Sequence, residues 1–372
     1  MENLRSPESI SSREIQLCTG ISLSELIQSC SEGGTEQPRT LQTNISEEAR
    51  QLGYVYGCES HVGTKEKGNT INEDGAFSVE LPVQDGKEQI LCYGVADGVS
   101  QSTWSDVGSR LAMESFLSAT QSLKESFAQL DLETIDDASY SQFCAEFTRH
   151  IIEKWNELIH ASKILIEMKD GVEQKYTPKG WQKDTYNRAY NRGDQEFFQT
   201  TLSGVVMGRT GAILFHWSDG PSRVVRTGQK HQSISIEPKA ADLKLTEYLD
   251  FKNGRVVIRG KEFDSKSFMI RVARKGAESL QVIVGTDGIG NEIPDKDTSN
   301  LLDSSSCQEY ISVMNKEYPD TDPSGGAADN RSIASGIRNF AMPKKSSGTI
   351  SLNHKSLPSQ SSGKRSLRKG AN

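Results

Sequence analysis

Residues 72–98 read NEDGAFSVELPVQDGKEQILCYGVADG, and this stretch decides the fold class. Apolar and polar residues alternate over 77–83, which is the period-two pattern of a half-buried strand. The QDGK that follows is a hairpin turn signal, because Gly86 can adopt a positive φ. The next apolar run is too short for a helix and predicts a central strand that ends at Asp97. We therefore expect one hairpin unit with Asp74 and Asp97 at its opposite ends.

The periodicity changes from two to about 3.6 after this hairpin. Apolar residues spaced by three and four predict one helix at about 105–124 and a second at about 140–168. The polar, patternless residues 169–196 are predicted to form a long loop or insert. Strand patterns then continue as far as VGTDG, joined by turns of hairpin length, so these strands are expected to be mainly antiparallel. A helix at about 297–316 and a closing strand within DNRSIASGIR complete the pattern.

Hairpins with an inserted pair of helices indicate the α+β class, and the simplest arrangement is two packed antiparallel β-sheets flanked by helices. We expect one folded domain over residues 51–340. Residues 1–50 are polar and are predicted to be partly disordered. Residues 341–372 form a basic tail rich in Ser and Gly, which is predicted to be disordered because it has too little apolar surface to offset the entropy of ordering.

The net charge of −7 conceals an asymmetry along the chain. The tail from residue 341 holds seven Lys or Arg and no acid, so the preceding residues carry about −14 (−7 minus +7). A body this acidic is not expected to bind nucleic acid. The partner of the tail stays open between RNA, an acidic protein, anionic lipid and a purely solubilising role. There is no run of eighteen apolar residues and no secretory signal, so we predict a cytoplasmic protein, and we expect a monomer.

The sequence gives little support for a site built on cysteine or histidine, or for a nucleotide-binding phosphate loop. The six cysteines are scattered without a CxxC pair, so they are predicted to be reduced, and none has an arginine six positions later as a Cys-x5-Arg phosphatase requires. The histidines are scattered as well, and His216, within a strand pattern, is predicted to be structural. GTKEKGNT nearly matches a phosphate loop, but Asn69 replaces its lysine and a strand is predicted next, where such a loop needs a helix.

Acidic residues occur where predicted strands begin or end. Asp97 and Asp287 each follow an apolar strand and precede glycine, Asp329 precedes the last strand, and Glu73 and Asp74 precede the first. A single Asp-Gly is more often a turn than a ligand. Hard cations such as Mg²⁺ and Mn²⁺ prefer oxygen ligands, and two neighbouring ions need about three or four carboxylates. The combination predicts a site for two divalent cations.

The order of these segments resembles the metal-dependent Ser/Thr protein phosphatases of type 2C (the PPM family). The resemblance covers residues 54–338 and includes Arg223, at the end of that family's Gly-Asp-Ser-Arg segment. It is carried by Asn72-Glu73-Asp74, Asp97-Gly98, Thr286-Asp287-Gly288 and Asp329-Asn330. It implies an α-β-β-α sandwich that hydrolyses phosphoserine and phosphothreonine in proteins by means of a water activated between two Mn²⁺ or Mg²⁺ ions.

The resemblance also implies roles for single residues. Asp97 would bridge both ions, Glu73 and the carbonyl of Gly98 would hold one, and Asp287 and Asp329 would hold the other. Catalysis would depend on Asp97, Glu73 and Asp287. Asp74 would orient a ligand or a water molecule.

The sequence departs from the family pattern in three places. Asn69 stands where the family usually carries an arginine that grips the substrate phosphate, so Lys65, Lys67 and Asn69 are the remaining candidate phosphate contacts. Pro221 and Asn291 replace two aspartates that help the family to bind a third metal. Asp219, two residues before Pro221, is available to compensate.

These departures leave two functions open. The first is hydrolysis of phosphoproteins by the retained acids. The second is a noncatalytic phosphatase-like domain that binds phosphoproteins or regulates a complex, which the loss of the arginine at position 69 favours. The retained Glu73, Asp97, Asp287 and Asp329 oppose the second, because clustered carboxylates repel one another unless a cation compensates.

Overall fold

The computed structural model describes residues 40–61, 72–83, 88–99, 105–169, 198–236, 250–252, 255–258, 261–263, 268–290, 292–317 and 330–340. Several positions of interest lie outside these residues: Lys65, Lys67, Asn69, Asn291, Asp329, the predicted insert apart from its first residue, and the basic tail. The described residues all belong to one compact unit, Met1–Ala341.

A six-stranded sheet has the order β1-β3-β4-β5-β6-β12. Its strands are β1 (Thr40–Gln42), β3 (Gly75–Val83), β4 (Glu88–Ala96), β5 (Leu202–Gly208), β6 (Gly211–Trp217) and β12 (Met269–Ala273). All neighbours are antiparallel except β1 and β3, which pair in parallel. The predicted dominance of antiparallel pairing is confirmed for this sheet.

A five-stranded antiparallel sheet has the order β2-β14-β13-β7-β8. Its strands are β2 (Tyr54–His61), β7 (Ser222–Thr227), β8 (Gln232–Ile236), β13 (Ser279–Gly285) and β14 (Arg331–Asn339). Three short strands, β9 (Asp250–Lys252), β10 (Arg255–Ile258) and β11 (Lys261–Phe263), form a separate small sheet.

Four α-helices lie within the described residues: α1 (Glu47–Gln51), α2 (Ser105–Gln129), α3 (Asp137–Lys169) and α4 (Ser304–Glu317). The predicted pair at 105–124 and 140–168 is confirmed as α2 and α3. The range predicted as one helix, 297–316, contains two elements in the structure. A 3₁₀ segment, Asp295–Asn300, comes first, and α4 follows it. None of the helices in the described ranges is both long enough and apolar enough to cross a bilayer.

Alternating side chains give the strands two apolar faces and so build three layers of core. On β4, Leu91, Tyr93 and Val95 point into the core between the two sheets, whereas Ile90 and Cys92 point toward α2 and α3. On β13, Ile283 points outward and packs against α4. The layers are therefore helices, sheet, sheet and helix, and the predicted α+β sandwich is confirmed.

Two expectations about the edges of the fold differ from the structure. Gly75 pairs with Ala96, so the antiparallel hairpin places Asp74 and Asp97 at the same end of the unit, and the prediction of opposite ends was wrong. The ordered elements also begin before residue 51, because β1 pairs with β3, and α1 starts after Ser46, whose hydroxyl accepts a hydrogen bond from the Ala49 amide.

Candidate metal centre

Three carboxylates that are far apart in the sequence converge at one end of the sandwich. Each of Asp97, Asp219 and Asp287 offers a carboxylate oxygen, and these atoms all lie within 4.8 Å of one another. Asp97 and Asp219 are half-buried, and Asp287 is exposed. Like charges this close raise the free energy of the folded state unless protons or a cation compensate them. The group is therefore suited to a divalent cation, for which carboxylate oxygens are preferred ligands.

Asp97 follows the last residue of β4, and two threonines next to β5 hold its backbone. The Thr201 amide and the Thr200 hydroxyl donate to the Asp97 carbonyl at 2.8 and 2.7 Å. The Asp97 amide donates to Thr201 Oγ1 at 3.2 Å. Both backbone polar groups of Asp97 are therefore satisfied within the protein, and its side chain projects from a fixed main chain.

Gly98 occupies a space that no other residue can fill. A Cβ at this position would lie 2.6 Å from the Glu73 carbonyl oxygen and 2.7 Å from the Ser105 carbonyl oxygen. These backbone contacts bring the segment that carries Glu73 and the start of α2 against the turn after Asp97. The crowding is consistent with a role for the Gly98 main chain in the site.

Glu73 is buried, and its Oε1 accepts a hydrogen bond from Ser105 Oγ at 2.9 Å. Among the described residues, Glu73 is not a member of the group of three carboxylates, although its backbone contacts Gly98. The side chain of Asn72 accepts from the Asp74 amide at 3.1 Å and donates to Ser60 Oγ at 2.9 Å. Asp74 is fully buried, and its role as an orienting residue stays a prediction.

Asp287 follows β13, and hydrogen bonds to β14 hold the residue before it. The Thr286 amide donates to the Ser332 carbonyl, and the Ser332 amide donates to Thr286 Oγ1, both at 3.0 Å. A Cβ on Gly288 would lie 1.9 Å from the Asn330 carbonyl oxygen, so the backbone of Asn330 packs directly against that of Gly288. The residue that follows Asp329 in the chain therefore lies against the turn that carries Asp287.

Asp219 lies in the connection between β6 and β7, residues 218–221. A Cβ on Gly220 would lie 2.1 Å from the Gly285 carbonyl oxygen, and the Gly285 amide donates to the Pro221 carbonyl at 2.9 Å. The connection therefore rests on the end of β13, and this contact brings Asp219 beside Asp287. Asp219 thus lies beside Asp287, and its role as a substitute for the aspartate missing at Pro221 stays a prediction.

Arg223 on β7 anchors the segment that follows Asp287. Its guanidinium is almost fully buried, donates to Ser233 Oγ at 2.8 Å and forms an ion pair with Glu292. Asp295 lies 4.0 Å from the same guanidinium. Hydrogen bonds from Ser233 and His231, together with the Arg223 charge, hold the pKa of Asp295 below its usual value.

Solved structures of bacterial and protozoan phosphatases align with most of the chain. They include the Mycobacterium tuberculosis serine/threonine phosphatase PstP/Ppp, with 16% identity, a TM-score of 0.40, and coverage of 77% of this chain and 100% of that one. The catalytic domain of PstP in complex with two manganese ions aligns with 16% identity, a TM-score of 0.39, and coverage of 77% and 99%. A serine-threonine phosphatase 2C from Toxoplasma gondii aligns with 14% identity, a TM-score of 0.44, and coverage of 82% and 98%.

No protein of curated function matches the sequence. The family model described as Protein phosphatase 2C matches residues 63–321, which is more than half of the 372-residue chain. The match spans β3 to α4 and contains all three carboxylates of the metal centre. The chain therefore belongs to the protein phosphatase 2C family of metal-dependent Ser/Thr protein phosphatases.

Proposed function

We propose that this protein hydrolyses phosphoserine and phosphothreonine in protein substrates, using a water molecule activated between Mn²⁺ or Mg²⁺ ions. The observation that carries the proposal is the convergence of Asp97, Asp219 and Asp287, whose carboxylate oxygens lie within 4.8 Å of one another although the residues come from three separate segments. A cytoplasmic location is part of the proposal and rests on the sequence alone.

The residues that would hold the ions are Asp97, Asp219, Asp287, the carboxylate of Glu73, the carbonyl of Gly98 and Asp329. Bound divalent cations supply Lewis-acid stabilisation of phosphoryl oxygens and lower the pKa of water. The chain supplies the rigid frame: the threonines beside β5 fix Asp97, and Ser105 orients Glu73. Lys65, Lys67 and Asn69 are the proposed contacts to the substrate phosphate.

A protein nucleophile is not needed for this reaction, and the described cysteines are poor candidates for one. Cys58, Cys92, Cys144 and Cys307 are all buried. Burial raises the pKa of the Cys58 thiol to about 12, so the reactive thiolate is scarce at neutral pH. The burial of these thiols is consistent with water, rather than a cysteine, as the attacking group.

The proposal is tested by turnover of a phosphothreonine peptide with Mn²⁺ and with a chelator. We expect hydrolysis only with the cation, and we expect Mn²⁺ to raise the melting temperature. Asp97→Asn should abolish both effects. In chelator, the variant should also melt at a higher temperature than the wild type, because it removes one charge from three crowded carboxylates.

Asp137→Asn is the matched control, because it removes the same charge from an exposed residue at the start of α3. It should leave hydrolysis and the response to Mn²⁺ unchanged. Metal binding without turnover would instead select the noncatalytic, phosphoprotein-binding function that Asn69 favours. Absence of any response to Mn²⁺ would contradict both the metal centre and the hydrolytic function.

A further inference from the structure

His216 is a buried residue three positions before Asp219, and the proposed reaction does not use it. It lies on β6 with 1% of its surface exposed. Its Nδ1 lies 2.9 Å from Ser203 Oγ and 3.3 Å from Ser222 Oγ. Both serines are buried as well, so water has little access to these contacts. One ring nitrogen therefore lies within hydrogen-bond distance of two serine hydroxyls, with the shorter contact to Ser203.

The two serines belong to different sheets. Ser203 is the cross-strand partner of His216 on β5, within the six-stranded sheet. Ser222 is the first residue of β7, within the five-stranded sheet. His216 thus bridges the two sheets at the point where the chain crosses between them.

The segment that crosses is the 218–221 connection, which carries Asp219. His216 lies two positions before the first residue of this connection and Ser222 follows it directly, so their contact closes the connection at its base. On the other side, the contact with Ser203 anchors the ring on β5. The imidazole therefore ties the connection that carries Asp219 to the neighbouring strand.

Hydrogen-bond chemistry explains why the ring is suited to this position. A neutral imidazole nitrogen either accepts a hydrogen bond from a hydroxyl or donates one to it, and both serine hydroxyls can adapt by rotation. Burying any of these groups without a partner costs free energy, so the three side chains favour one arrangement. An apolar side chain at position 216 would leave the base of the connection without this constraint.

We propose that His216 is a positioning residue that sets the Asp219 carboxylate beside Asp97 and Asp287 by closing the base of the 218–221 connection. The proposal rests on the proposed metal-dependent function, because it assigns His216 a role in how well the three carboxylates bind a cation. In this role His216 acts through the connection and is not itself a ligand of the ion.

A double-mutant cycle tests the proposal through Mn²⁺ affinity, measured by calorimetry on the full chain without substrate. His216→Ala should weaken binding by about tenfold, as is typical when a residue that orients a ligand is lost. Asp219→Asn should weaken binding too. The double variant should bind no more weakly than Asp219→Asn alone, because His216 acts only through Asp219.

Additive losses in the double variant, or wild-type affinity in His216→Ala, would overturn the role of His216 while leaving the metal centre intact. Absence of Mn²⁺ binding by the wild-type chain would overturn the metal-dependent function and this inference together. Turnover of the phosphopeptide is measured separately, so the two failures are distinguishable.

Two further variants separate positioning from loss of folding. His216→Asn places a polar atom close to the position of Nδ1 and should restore most of the affinity. Ser222→Ala keeps the contact between His216 and Ser203 and removes only the contact at the base of the connection, so it should also weaken Mn²⁺ binding. Unchanged affinity in Ser222→Ala counts against the proposal even if His216→Ala does not fold.

Thr148→Ala is the matched control for stability. Thr148 is a buried residue on α3 whose hydroxyl donates to the Cys144 carbonyl at 2.8 Å and lies 3.4 Å from Met269 Sδ on β12. Its loss should lower the melting temperature without changing the affinity for Mn²⁺. A fall in affinity in this variant would show that destabilisation alone weakens metal binding.

Discussion

Gly98 and Gly288 stand directly after two of the clustered aspartates, and both permit backbone contacts that a side chain would block. At Gly98 the neighbours are the carbonyl oxygens of Glu73 and Ser105, and at Gly288 the neighbour is the carbonyl oxygen of Asn330. Glycine at these positions is therefore required by close approach of the backbone. The turns that carry Asp97 and Asp287 therefore pack against neighbouring backbone at positions where only glycine fits.

Gly98→Ala is expected to lower Mn²⁺ affinity by at least about tenfold, because the new methyl group would push the Glu73 segment away from Asp97. Gly208→Ala is the matched control. Its Cβ would also lie 2.6 Å from a neighbour, but that neighbour is the Phe127 ring, away from the carboxylates. The control should cost about 1–3 kcal/mol of stability by overpacking and leave Mn²⁺ affinity unchanged. Equal affinity losses in the two variants would contradict the local explanation.

The sequence pattern singled out Asp97 and Asp287, two of the three clustered carboxylates, but not the position of Asp219. Asp97 and Asp287 were recognisable because each ends an apolar strand and precedes glycine. When Gly-Pro-Ser-Arg is aligned with the family's Gly-Asp-Ser-Arg, Pro221 stands at the position of the family's aspartate. The alignment therefore does not point to Asp219. Spacing along the chain cannot show that Gly220 packs on Gly285, and that contact decides where Asp219 lies.

Helix α3 begins with a side chain that satisfies the free amides of its first turn. Asp136 precedes the helix, and its carboxylate accepts from the amides of Ala138 and Ser139 at 2.9 and 2.8 Å and from the Ser139 hydroxyl at 2.7 Å. The hydrogen bonds from Ser139 are the main reason that the pKa of Asp136 lies below its ordinary value of 3.8. The stability of the helix start therefore depends on pH, because the capping hydrogen bonds favour the ionised carboxylate of Asp136.

Asp136→Ala is expected to lower the melting temperature at neutral pH. Because the pKa of Asp136 is lower in the folded state, its contribution is fully present above about pH 4 and is lost as the pH falls through the folded value. The difference in melting temperature between wild type and variant should therefore shrink below pH 4. Asp137→Ala removes a neighbouring charge without these capping bonds and should have a smaller effect. Equal effects of the two variants would contradict the cap.

The larger elements were predictable because their hydrophobic periods extend over many residues. The patterns for α2 and α3 began within three residues of the observed helices, and β3, β4 and β14 occur where the sequence indicated strands. Strand β1 has three residues and α1 has five, which is too short for a period to be recognised. Their positions are set by pairing with β3 and by packing against β2, which the local sequence does not report.

The two sheets are joined across the core by Tyr93, which is fully buried on β4. Its hydroxyl donates to the Val282 carbonyl on β13 at 2.9 Å and lies 3.5 Å from the Gly336 carbonyl on β14. Gly336 leaves room for the ring, because a Cβ there would lie 2.5 Å from it. This contact links the middle of the six-stranded sheet to the middle of the five-stranded sheet.

Tyr93→Phe is expected to lower the free energy of unfolding by about 1–2 kcal/mol, because a buried hydrogen bond is lost and the ring packing remains. Urea denaturation measures the loss. Mn²⁺ affinity should be unchanged, since Tyr93 lies in the core and touches none of the residues around the carboxylates in the contacts described above. A fall in affinity equal to that of Gly98→Ala would show that the metal centre responds to the packing of the whole sandwich.

The clustered acids are divided between the two halves of the molecule. Asp97 follows a strand of one sheet, Asp287 follows a strand of the other, and Asp219 lies where the chain passes between them. A partly folded chain with a single sheet assembled would hold an incomplete set of ligands. A divalent ion would then bind the finished sandwich more tightly than partly folded forms and would stabilise it by mass action. In this way the cation proposed for catalysis would also favour the completed fold over forms in which only one sheet has assembled.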